Sequence, residues 1–144
     1  MEIKVIGDSK NRKALIAVLS KFCAQALKID HEPKLIKVYS LPRLKKEKKC
    51  AGAVARMSHS EIRVLLDSRL DAEALVTVIA HEFTHVRQVI HQDLIAYYQP
   101  SGKQGWIWKG KINKSSYKNM PWEIEARHSE VILANKLRKL LAKG

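Results

Sequence analysis

The sequence predicts an α+β domain: an N-terminal helix, a small three-stranded sheet, a long helix that carries a histidine pair, and a C-terminal helix that carries glutamates. Three observations point there. Apolar residues recur at three- and four-residue steps in three separate stretches. Between the first two stretches lie three short strand-like segments bounded by turn residues. The chain has 144 residues with neither an internal repeat nor a low-complexity linker, so one domain is expected over 1–144.

The elements follow in order. After a short strand-like start (Ile3, Val5), Ser9 to Leu27 reads as a helix. Its apolar residues Ala14, Leu15, Val18, Leu19, Phe22 and Ala26 keep helical spacing, and Asp8 or Ser9 caps its start. Leu35 to Tyr39 alternates like a strand, and Lys45 to Lys49 reads as a basic loop. Ala51 to Met57 and Glu61 to Leu66 are the other two strands, joined by the short turn Ser58-His59-Ser60. A capped turn at Asp67 to Asp71 opens a helix from about Ala72 to about Gln92. That helix has a buried stripe of Val76, Ile79, Phe83, Val86 and Ile90, and a second stripe (Leu75, Val78, Glu82, His85, Val89) broken by polar residues. Gln99 to Met120 has no acidic residue and reads as a loop, with a hairpin around Trp106-Ile107-Trp108. Pro121 suits a first helical position and opens the last helix, which runs to about Ala142.

Composition excludes several classes. Hydrophobic residues make up 46% and charged residues 28%, which is globular rather than disordered. No apolar run approaches membrane-spanning length, and the first residues lack the order of a secretory signal. Two cysteines make no disulfide framework. A cytoplasmic monomer with no membrane association is the resulting expectation. The 27 Lys+Arg against 14 Asp+Glu give a net charge of +13, which suggests nucleic acid or another anionic partner, or else a solvated basic surface.

The chemistry sits at His81-Glu82-Phe83-Thr84-His85, an H-E-x-x-H pattern. Residues four apart on a helix share a face, so His81 and His85 converge on one ion. Glu82 lies beside that ion, where it can take a proton from an activated water. Zinc is the expected metal, because it accepts three protein ligands and keeps one position open. A third ligand is required. His91 has the spacing of the metzincin third histidine, but Gln88 stands where that pattern has glycine. On a continuing helix His91 lies about 240° around from His85. Downstream, Glu123 shares the apolar face with Ala126, Glu130, Leu133, Leu137 and Leu140, whereas Glu125 shares the polar face, so periodicity favours Glu123. Glu130, on the same face, is a candidate to orient a ligand histidine or to form a buried ion pair.

H-E-F-T-H followed about forty residues later by P-W-E-x-E-A resembles the gluzincins, zinc metallopeptidases with a His/His/Glu ligand set. It is most similar to minimal single-domain members of phage and bacterial genomes, with the layout of ImmA/IrrE-type peptidases. The resemblance implies a minimal zincin-like fold, with His81, His85 and Glu123 as zinc ligands and Glu82 as catalytic base. It also implies peptide or protein substrates, and a cleft edged by Glu61 to Leu66 to which an extended peptide adds as a strand. Unlike larger relatives, the chain has no second subdomain to close that cleft. Tyr117 is the first choice to stabilise an oxyanion, with Tyr97, Tyr98 and His128 as alternatives. Arg43, Lys45, Lys46, Lys48 and Lys49, and the lysines interleaved with Trp106 and Trp108, are the residues that would meet nucleic acid. SprT-like proteins, peptidases drawn to substrates on DNA, are similar in H-E-x-x-H but use a third histidine.

Overall fold

A computed structural model describes residues 1–29, 31–48, 50–113 and 120–143. The elements are β1 (Glu2–Ile6), α1 (Lys10–Ala26), β2 (Leu35–Leu41), α2 (Leu44–Lys48), β3 (Gly52–Arg56), β4 (Glu61–Asp67), α3 (Ala72–Ile90), β5 (Leu94–Tyr98), β6 (Gln104–Trp108), β7 (Lys111–Ile112) and α4 (Pro121–Lys143). The chain is α+β, with helices and sheets packed together.

The main sheet has four strands rather than three, in the order β1-β2-β4-β3. The strand-like start is a full member: β1 pairs parallel with β2, and β2 pairs parallel with β4. Only β3 is antiparallel, joined to β4 through the expected hairpin turn. The expectation that Glu61 to Leu66 edges the cleft is corrected here. β4 is interior, between β2 and β3; among the described residues β3 is the free edge on that side of the sheet, and β1 the edge on the other.

One face of the sheet is apolar and the other is wet. Along β2, Ile36 and Val38 are fully buried and alternate with half-exposed residues; Ile62, Val64 and Leu66 do the same along β4. Against this face pack Ile16, Leu19 and Cys23 of α1 and Leu75, Val76, Ile79, Phe83 and Val86 of α3, with Leu133 and Leu137 of α4 closing the cluster. The buried stripe of α1 differs from the expected one: Ile16-Leu19-Ser20-Cys23-Ala24 faces the core and Val18 is half exposed. Ser20 lies in the inward stripe, so the neighbouring Leu15-Val18-Phe22 row looks more apolar than the row that is buried.

Both interior helix ends use a left-handed residue that is not glycine. After α1, Lys28 has φ +59°; its N–H bonds to Gln25 O, and the Ile29 N–H bonds to Ala24 O. After α3, Gln92 has φ +60° and makes the same pair of bonds with Asp93, to Val89 O and Gln88 O. These are Schellman caps, which glycine normally provides. The α3 cap stops the helix at Ile90, slightly before the expected end, and leaves His91 exposed.

The segment after α3 differs more. Leu94–Tyr98 and Gln104–Trp108 pair antiparallel, and β7 adds a short third strand. The expected hairpin around Trp106 is therefore one half of a second sheet whose other half precedes the acid-free stretch. The expected basic loop at 45–49 forms the short helix α2 over Leu44–Lys48. No helix among the described residues is long and apolar enough to cross a membrane.

Because an L-residue at positive φ is strained, Lys28→Gly should stabilise the fold by about 1 kcal/mol. The check is the midpoint of urea unfolding, with the slope unchanged.

Candidate metal centre

The centre forms where α3 crosses α4. His81 and His85 lie one turn apart on α3, and Glu123 lies in the first turn of α4. Their ligand atoms all lie within 4.8 Å of one another, the one such His/Cys/Asp/Glu group among the described residues. His81 Nε2 is 3.1 Å from Glu123 Oε2, His85 Nε2 is 3.0 Å from Glu123 Oε1, and the two Nε2 atoms are 3.1 Å apart. A tetrahedral ion with bonds of 2.0–2.1 Å separates its ligands by about 3.3 Å. The three residues are thus spaced almost as an ion would hold them.

The far nitrogen of each ring has an acceptor of its own. His81 Nδ1 lies 3.2 Å from Glu130 Oε1, a carboxylate that only accepts. His85 Nδ1 lies 2.7 Å from Gln88 Oε1, whose amide orientation is set because Gln88 Nε2 donates to Trp122 O and Glu125 Oε1. With its proton on Nδ1, the form these far-side acceptors accommodate and metal binding requires, each neutral imidazole turns a lone pair inward. Two lone pairs and a carboxylate then converge with no donor among them. Such a set demands a cation, and a donor set of two imidazoles and one carboxylate suits zinc.

The charges agree. For His81, burial disfavours the cation. Hydrogen bonding to Glu123, the charges of Glu82 and Glu123, and the bond to Glu130 outweigh it and lift the ring to about 9. His85 is raised as well, its burial outweighed by Glu123, Glu82 and Gln88. Burial also acts against the Glu123 anion, but its bonds to both histidines hold it down at about 2. Glu82 is pushed up to about 7, chiefly by burial, against the pull of the two histidines.

His81, His85, Glu123 and Glu82 are therefore brought together as expected, with Glu82, His85 and Glu123 each under 10% exposed. Glu130 orients His81, and Glu125 lies outside the cluster, bonded to Gln88 and to Arg87 Nη2 at 3.2 Å. His91 lies outside it too. Tyr117 falls in 114–119, outside the described residues. His128 is exposed on α4, and Tyr97 and Tyr98 lie on β5 of the second sheet.

Three contributors were missed from sequence. Gln88 stood out only as a position lacking glycine, yet it is fully buried and orients His85. A polar residue three after His85 on an otherwise apolar face was the available signal. Trp122 seats the second sheet: the Trp106 and Trp108 rings lie 5.7 and 6.1 Å from it. These tryptophans buttress the residue next to Glu123, so they are less available as stacking platforms for bases. Gly52, at the start of β3, lies against the catalytic candidate. A Cβ there would stand 2.8 Å from Glu82 Cγ and 2.9 Å from Val78 Cγ1, so only glycine lets the edge strand come this near.

Of the basic residues, Arg43, Lys45, Lys46 and Arg69 line a cavity of about 400 Å³ around Asp67. Asp67 is buried, and its oxygens already accept the Lys45 and Arg69 N–H groups.

Metal binding should release protons. Below about pH 9 the metal-free His81 holds a proton that an entering ion must displace, while Glu123, ionised above about 2, offers no competition. Zinc affinity should therefore rise with pH from 6 to 9, and calorimetry at pH 7 in buffers of different ionisation enthalpy should find at least about one proton released per ion, from His81 with a further share from the raised His85. The same shift stabilises the metal-free fold below about 6.5, the unfolded histidine value, and that contribution fades as pH rises through about 9. Glu130→Leu should lower zinc affinity by about 10- to 100-fold at constant stoichiometry, read by chelator competition.

No protein-family model matches the chain, and no curated protein or solved structure matches it either.

Proposed function

We propose that the chain is a zinc-dependent metallopeptidase of gluzincin type, with His81, His85 and Glu123 holding the ion and Glu82 as general base. The observation that carries this reading is the inward set of two imidazole nitrogens and one carboxylate, with a second, buried carboxylate beside it. When bound, zinc supplies a water acidified toward neutrality and a polarised carbonyl. Glu82 does the proton work. In the metal-free chain its value of about 7 lies between acid and base at neutral pH, which suits a group that takes a proton and then passes it to the leaving amine.

The substrate side is supported by β3. Asp67 N–H bonds to Ala51 O and Met57 N–H bonds to Glu61 O, which sets the alternation of the ladder. Gly52, Val54 and Arg56 then turn their backbone N–H and C=O groups to the free edge. An extended peptide can pair there as an added strand and pass Glu82 at Gly52. This fits an enzyme acting on peptide or protein segments that are not folded. A second reading, contact with nucleic acid, has the cationic cavity behind it and concerns where the enzyme is held rather than its chemistry.

Purified chain should hold about one zinc, the stoichiometry of a single catalytic site. Zinc-loaded Glu82→Gln should keep the metal and cleave an unfolded protein substrate about 10²- to 10⁴-fold more slowly than wild type. Equal rates for the two proteins would remove the peptidase reading.

A further inference from the structure

Three of the large apolar side chains left at the surface, Met57 (51% exposed), Ile95 (43%) and Tyr98 (74%), gather around one groove. The groove has a volume of about 690 Å³, and its walls also include Val54, Val89 and Trp106. Among the described residues, no acidic one lines it. Its walls are braced. The Arg56 guanidinium donates to Ser58 O, His59 O and Val89 O, which ties the β3–β4 turn to the last turn of α3. On the other side Trp106 rests against the buried Trp122.

The groove continues the free edge of β3. Gly52 lies against Glu82, and Val54, two residues on, already belongs to the groove wall. The Cβ position of Gly52 points at Val78 and Glu82, so Gly52, Val54 and Arg56 face α3. A segment paired to this edge places every second side chain on that same face. With one residue level with Gly52, the residues two and four further along point into the apolar space.

We infer that this groove selects an extended peptide by a large apolar side chain, such as Phe, Leu or Met, two or four residues from the point beside Glu82. The peptide's role as substrate rests on the peptidase reading; its capture by the groove does not. The ligand class is a segment of the kind that folded proteins keep buried.

The test uses fluorescein-labelled decapeptides of alanine and serine carrying one Phe, or Asn in its place. Binding to the full Glu82→Gln chain is read by anisotropy, with zinc and again after chelation. The Phe peptide should bind at least about tenfold more tightly than the Asn peptide in both states. Ile95→Asp and Met57→Asp should each erase that difference, with thermal melts showing that both variants are folded. Equal binding of the two peptides, or a preference that survives both variants, overturns the inference. Zinc-loaded wild type should cut two or four residues from the Phe, as read by mass spectrometry. Cuts without a fixed relation to the Phe also overturn it. Phe-selective binding with no cut anywhere removes the peptidase reading and leaves the groove standing.

Discussion

Two imidazole nitrogens and a carboxylate meet within about 3 Å of one another, and the far nitrogen of each ring has an acceptor of its own. Such a cluster repels itself unless a positive charge sits in it, whether a proton or a metal ion. The crossing of α3 over α4 must therefore be held by other contacts. Several side chains do this. Ala126 is fully buried and small, so the helices approach closely. Thr84 Oγ1 and Ser129 Oγ lie 3.1 Å apart across the crossing, and Gln88 bonds to the backbone of Trp122. Phe83, Leu133 and Leu137 then bury the apolar sides of both helices in the common core.

The helix α3 thus serves two surfaces at once. Its stripe of Val76, Ile79, Phe83 and Val86 packs into the core beneath the sheet, while His81, Glu82 and His85 face α4 and β3. The burial that stabilises the first surface also withdraws water from the second. That withdrawal lifts Glu82 and makes the histidine–glutamate contacts strong. The two sheets have different tasks. The four-stranded sheet supplies the core and, through β3, a free edge beside Glu82. The second sheet covers Trp122 and so steadies the start of α4, where Glu123 stands. Between them lies the groove.

Much of the centre was legible along the chain because it is local or periodic. His81, Glu82 and His85 lie within one helical turn and a residue, and Glu123 was separable from Glu125 because the apolar face of α4 runs through it. Glu125 was only partly readable. Its stripe is polar, yet the side chain is half-buried and anchors Gln88, a use that needs α3 beside it. Gln88 itself reads as an interruption until His85 Nδ1 is seen 2.7 Å away. The end of α3 was misplaced because Gln92, not glycine, takes the left-handed position, and the cap's hydrogen bonds leave no compositional mark.

The sequence by itself determined the three long helices, the strand segments before α3, the histidine pair with its glutamate, and the preference for Glu123, since all follow from spacing and polarity along one stretch of chain; the short helix α2 and strand β5 were not among them. Tertiary structure alone decided which strand is the edge, that Ile3 and Val5 belong to the sheet, and that Leu94–Tyr98 pairs with Gln104–Trp108. It alone brought Gly52 against Glu82 and Trp106 against Trp122. The physical reason is the same in each case. Strand order and close approach depend on partners that lie elsewhere along the chain, as between the β5 and β6 strands, from Trp106 to Trp122 and from Gly52 to Glu82. A linear pattern records that a face is apolar, but not what covers it.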